Sequence, residues 1–234
     1  MTNHGPMPTE RHTMTSTTTK LLRCGIYAGV IYVSIGLLQI LLRECFDITR
    51  HPLSILANGR WGWVQVGNFL VTGLLMLAFA VGVYRALKGC FGGTFGALML
   101  GLYGVGIIGA GIFVAGPMAD FPPADDRTHG FFPVNGMLHF MAGGVGFLCL
   151  ILAAITFGLR FARAKEWRRS LVSILTAILF TYAFMSIASG PPKPATMLTF
   201  FLAVLFSWLW IIALTAWLKA DHLAGTNPEE RTSN

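Results

Sequence analysis

"FLCLILAAITFGLRFARAKEWRRSLVSILTAILF", residues 147–180, sets two apolar runs on either side of the basic connector "RFARAKEWRR", residues 160–169. That connector alone holds five of the chain's seventeen Lys and Arg residues. In a soluble protein so dense a basic patch would suggest nucleic acid. Here each flanking run is long enough to cross roughly 30 Å of hydrocarbon as a helix. Basic residues between two such runs mark the side on which both helix ends stay.

Working outward, six apolar runs appear, at about 24–43, 64–84, 94–115, 138–159, 170–189 and 197–218. Only 12% of residues are charged, against about 25% in a soluble domain. Mean hydropathy is +0.64. Period-2 alternation, which a membrane β-barrel needs, is absent. The expected fold is therefore an all-α membrane protein, a six-transmembrane-helix bundle, because helices satisfy their own backbone hydrogen bonds in lipid. With the N-terminus inside, twelve of the seventeen basic residues fall in inner segments, leaving Arg43, Arg50, Arg60, Arg127 and Lys193 outside. Both termini are expected to be cytoplasmic, in the cell membrane. The domain plan is a disordered tail over 1–20, a six-span domain over 21–219 and a second tail over 220–234. The first apolar run has no clear A-x-A cleavage site and is expected to be retained. No nucleic-acid motif accompanies the charge of +7, so the basic residues are read as orienting groups that meet lipid headgroups.

Span three, "GGTFGALMLGLYGVGIIGAGIFVAG", is crowded with small residues, which give packing contacts by close backbone approach in lipid. Gly93, Ala97 and Gly101 share one face, as do Gly106 and Ala110, and span four offers Ala142 and Gly146 as partners. Span three is expected to be the most enclosed helix, with Gly101 at an interface. Span six is bulky and expected to face lipid, so that Ala203 tolerates Leu. Trp61, Trp63 and Trp167, with Phe131 and Phe132, read as interfacial anchors. The four cysteines show no CxxC and are expected to be free.

Two groups of polar residues are candidates. Gln65, Asn68 and Thr72 follow i, i+3, i+7 spacing on span two and form a possible intramembrane polar face. Interhelical hydrogen bonding is the plain account of it and a solute pathway the sharper one. The stretch "ADFPPADDRTHGFFPVNGMLH", residues 119–139, supplies Asp120, His129 and His139 as a candidate outer-face polar site. One carboxylate and two imidazoles suffice for an open zinc site, but their spacing shows no regular ligand pattern, so no metal and no cofactor is assigned. Asp125, Asp126 and Arg127 read as solvated loop charges. No span carries a central acidic residue, and no HExxH, GxSxG or Walker motif occurs.

"HPLSILANGRWGWVQVGNFLVTGLLMLAFAVGVYRAL", "GLYGVGIIGAGIFVAGPMADFPP" and "THGFFPVNGMLHF" together resemble the bacterial integral-membrane family called domain of unknown function 998. The resemblance runs from about residue 20 to 218. It implies a multi-helix membrane bundle and brings no established activity. The family pattern places an aspartate before the proline matched by Pro117, where this chain has Gly116, with Asp120 slightly later. Its histidine is matched by His139, so any pairing of the two in relatives is displaced or broken here. Two functions follow. The favoured one is a non-enzymatic bundle that binds lipid or a hydrophobic solute, or supports a membrane-protein partner. The alternative is an outward-facing membrane hydrolase acting on lipid headgroups through Asp and His. Membrane lipids are the expected partners, and a homo-oligomer is left open.

Overall fold

The computed structural model describes residues 8–123, 133–190 and 193–226. It contains six helices: α1 (Pro8–Leu42), α2 (Gly62–Leu87), α3 (Gly93–Ile112), α4 (Pro133–Arg163), α5 (Trp167–Ala188) and α6 (Pro194–Thr226). Each holds a segment long and apolar enough to cross a membrane, Ser16–Leu42 in α1 and Pro194–Ala224 in α6 among them. The helices outrun the expected spans at both chain ends. Helix α1 starts at Pro8, inside what composition reads as a tail, and α6 continues to Thr226.

Turn chemistry sets where the helices stop. Between α2 and α3 the chain reverses through Gly89 and Gly92, whose φ values of 79° and 71° are left-handed and favour glycine. Helix α4 ends with Lys165 at φ 61°. There the Glu166 amide reaches back to the Phe161 carbonyl, and the Lys165 amide to that of Ala162, a Schellman closure. Arg160 adds a bond to the Phe91 carbonyl at 2.8 Å, and the Arg163 guanidinium lies 3.5 Å over the Phe91 ring. The two turns are thereby tied together at one end of the bundle, the basic end. The remaining connections lie at the opposite, far end, where residues 53–57 form a short 3-10 helix.

Each helix packs on its neighbours in sequence, and α6 closes back onto α1, so the six form a ring. Small residues make the close approaches. A Cβ placed on Gly106 of α3 would lie 2.7 Å from the Ala142 oxygen and the Gly146 Cα of α4. On Gly73 of α2 it would lie 2.8 Å from the Gly104 oxygen of α3, and on Gly25 of α1 it would collide with the Thr215 hydroxyl of α6. Trp210 of α6 donates to the Ser173 hydroxyl of α5 at 3.0 Å. Helix α3 is the most enclosed of the six, and α5 the least.

Two packing expectations need correction. The face of α3 bearing Gly106 and Ala110 does meet Ala142 and Gly146, but Gly101 points elsewhere. A Cβ there would touch only Ala80 of α2, at an ordinary 3.5 Å. Nor does α6 face lipid along most of its length. Trp208, Trp210, Ile211, Leu214 and Ala203 are all buried inside the ring. Bulk alone does not mark a lipid-facing helix, because large side chains also fill a ring's centre. Trp61, Trp63 and Trp167 are exposed at helix ends, as interfacial anchors should be; Phe131 and Phe132 lie outside the described residues.

Candidate functional site

Toward the basic half of the ring, Phe157, Trp210 and Leu214 are buried. Toward the far end the centre is left open, and a cavity of about 270 Å³ remains. All six helices line it, with Tyr32 of α1, Phe69 of α2, Tyr103 of α3, Phe147 of α4, Phe184 of α5 and Phe200 of α6 on its walls. Its size is just below the roughly 300–1,000 Å³ typical of ligand sites. Among the described residues no Lys, Arg, Asp or Glu lines it.

Helix α4 makes room through "HFMAGGVGF", residues 139–147. His139, Gly143, Gly146 and Phe147 recur at helical spacing, so they share the face that meets the cavity. A Cβ on Gly143 would have nothing within 4 Å, and one on Gly144 would only graze the Phe184 ring at 3.7 Å. Gly146 serves the α3 contact instead. Two missing side chains on one wall therefore leave the space empty.

His139 is 4% exposed. Its Nδ1 lies 2.9 Å from the Ala110 oxygen and 2.8 Å from the Phe113 oxygen, at the end of α3. Those carbonyls have no partner further along their own helix, and since they only accept, Nδ1 carries the proton. His139 thus closes the end of α3 and, by its place on α4, joins the two helices. Below it, Trp208 stands between Tyr32 and Tyr103, with centroid distances of 4.7 and 5.8 Å. The Trp208 Nε1–H is buried without a hydrogen-bond partner.

The far-end loops form a roof over the cavity, to which His51, Leu53, Ser54 and Met118 contribute. His51 accepts the Asp47 amide at Nδ1 (3.0 Å) and donates from Nε2 to the Ala119 oxygen (2.9 Å). It ties the loop after α1 to the loop after α3, and its ring packs against Phe46 and Phe121. Arg43 donates to the Leu56 and Asn58 oxygens and sits 5.1 Å over the Phe121 ring. The hydroxyl and the amide of Thr49 both bond Asp47 and hold its carboxyl below the usual range.

The sequence-derived candidates that are described have separate partners. Asp120 is paired with Arg50 at 3.2 Å, its side chain 91% exposed on the roof. His139 is engaged with the α3 carbonyls inside the ring, and His129 lies outside the described residues, as do Asp125, Asp126 and Arg127. Among the described residues no three His, Cys, Asp or Glu side chains gather as metal ligands. Gln65, Asn68 and Thr72 lie between α1 and α2, away from the cavity. Gln39 donates to Gln65 Oε1 (2.7 Å), and Asn68 donates to the Tyr32 oxygen and to Gln65 Oε1, both at 3.3 Å. Thr72 donates to Asn68 Oδ1, also at 3.3 Å. Composition gave no reason to select Tyr32, Tyr103 or Trp208. The glycine doublet four residues after His139 was the available signal for the cavity wall.

A family model described as Protein of unknown function (DUF998) matches residues 26–217. That range takes in α2 to α5 whole, most of the spans of α1 and α6, and all the cavity residues named above. No curated protein and no solved structure matches the chain. With six apolar helices closed into one bundle and this match over most of its length, the chain is a multi-pass membrane protein belonging to the family of unknown function DUF998.

Proposed function

We propose that the protein is a non-enzymatic membrane bundle that takes an apolar molecule, a lipid chain or hydrophobic solute, into the cavity within its helix ring. It sits in the cell membrane with both termini on the cytoplasmic side. The observation that carries the binding role is the cavity itself: about 270 Å³, walled by aromatic and aliphatic side chains from all six helices. Burying apolar surface there is favourable by roughly 25 cal/mol per Å². The orientation rests on Arg160, Arg163, Lys165, Arg168 and Arg169 gathering at the basic end. A hydrolase of headgroups has less support, because Asp120 and His139 have separate partners and, among the described residues, no cluster of His, Cys, Asp and Glu gathers.

The test is extraction of the purified protein with organic solvent and mass analysis of what it carried. The wild type should yield an apolar compound in near-stoichiometric amount. Gly143→Phe, which fills open space, should carry little of it while keeping its unfolding temperature. Equal content in both proteins would remove the cavity from the account.

A further inference from the structure

We infer that the cavity's ligand is a lipid alcohol, an apolar chain whose hydroxyl donates a hydrogen bond to Nε2 of His139. This rests on the binding role proposed above and names the chemistry of its ligand.

The argument starts from the tautomer. Nδ1 faces two carbonyl oxygens, so it holds the ring's proton. An imidazolium in this wall would be a buried charge with no anion among the cavity residues to pair with it, so the ring is neutral. Its other nitrogen is then an acceptor only. No described residue donates to Nε2, and the ring, 4% exposed, is among those that line the cavity. With Nδ1 engaged by the α3 carbonyls, Nε2 is the ring atom left for a cavity ligand. A buried acceptor left empty costs about as much as a lost hydrogen bond, so the site favours a ligand that brings a donor.

The surroundings narrow that donor. No Lys or Arg lines the cavity among the described residues, so a carboxylate or phosphate would enter without a counter-charge. An ammonium group would lack an anion in the same way. A hydroxyl is a neutral donor that carries no such penalty. Tyr32 and Tyr103, also on the wall and with hydroxyls that have no partner among the described residues, can serve a second hydroxyl or a water.

The probes are 1-decanol and 1-methoxydecane, which share an alkyl chain and differ in whether the oxygen can donate. Binding of tritiated 1-decanol to the protein in nanodiscs is displaced by each unlabelled compound. For the wild type the alcohol should compete about three- to tenfold better than the ether, as expected for one hydrogen bond. In His139→Leu the two should compete equally while saturable binding persists. Equal competition in the wild type would overturn the hydroxyl assignment and leave chain binding intact. No saturable binding of either compound would instead overturn the binding role. The wild-type comparison stands even if His139→Leu fails to fold.

Discussion

Adding a single methyl group at three glycines should have effects of different sign, because the three backbones face different surroundings. In a helix, replacing Gly with Ala gains about 0.8–1.0 kcal/mol of intrinsic propensity. At Gly101 and Gly143 that gain is unopposed, since the new Cβ meets Ala80 at 3.5 Å in one case and nothing within 4 Å in the other. At Gly106 the Cβ would lie 2.7 Å from a backbone oxygen and a Cα of α4. Neither is the tip of a flexible side chain, so the two helices must separate. Overpacking of this kind costs about 1–3 kcal/mol. Gly106→Ala should therefore be neutral to about 2 kcal/mol less stable, and Gly106→Leu lower still, while Gly101→Ala and Gly143→Ala gain up to about 1 kcal/mol. The assay is reversible unfolding by SDS in mixed micelles, followed by far-UV ellipticity. If Gly106→Ala proves as stable as Gly101→Ala, the α3–α4 contact is not the close approach described.

Four further outcomes follow from named contacts. Ser173→Ala removes the acceptor of the buried Trp210 indole, so it should cost about 1–3 kcal/mol in the same assay; a cost near zero would mean the indole finds another partner. Gln65→Leu removes one acceptor each from the Gln39 and Asn68 amides, which keep the Ile35 and Tyr32 oxygens, and should cost about 0.6 kcal/mol, at most roughly 1.7, while leaving apolar ligand content unchanged because Gln65 lies off the cavity. Cys45 and Cys90 are exposed at opposite ends. In single-cysteine proteins an impermeant maleimide should label Cys45 but not Cys90 on intact cells, and the reverse result would invert the orientation. Asp47 has a lowered folded pKa, so its contribution to the roof is present above the unfolded value near 3.9 and is lost as pH falls through the folded value. Exchange of the Thr49 amide should accelerate only in that acidic window, and acceleration between pH 7 and 5 would contradict the assignment.

The helices were legible because crossing hydrocarbon demands length and hydropathy, both properties of contiguous sequence. Rotational position was less so. Spacing by four selected Gly101 with Gly93 and Ala97 as well as Gly106 with Ala110, yet the two sets lie on different faces of α3: Gly101 meets α2, and Gly106 meets α4. Bulky residues on α6 carried no mark of whether they meet lipid or a ring's interior; Trp208 and Trp210 are buried, while Leu209 between them is exposed. His139 was recognised as an imidazole needing a partner, but its partners are backbone carbonyls, which no side-chain motif records. The cavity was least visible of all. It exists because six helices from distant parts of the chain leave volume unfilled, and only the doublet Gly143–Gly144 hints at it in one dimension.

Photo-crosslinking in native membranes tests the central claim, an apolar ligand inside the ring, most directly. A long-chain alcohol bearing an alkyl diazirine would be activated and the modified residues mapped by peptide mass spectrometry. Adducts are predicted on the inward face, at Tyr103, Ile107, Phe147, Phe200 and Val204, and should be competed by excess unlabelled alcohol and abolished by Gly143→Phe. Adducts confined to the outward-facing Leu98, Leu102, Val145, Leu148 and Leu202, and insensitive to both, would mean that the probe meets the protein only as surrounding lipid, and the binding role would be contradicted.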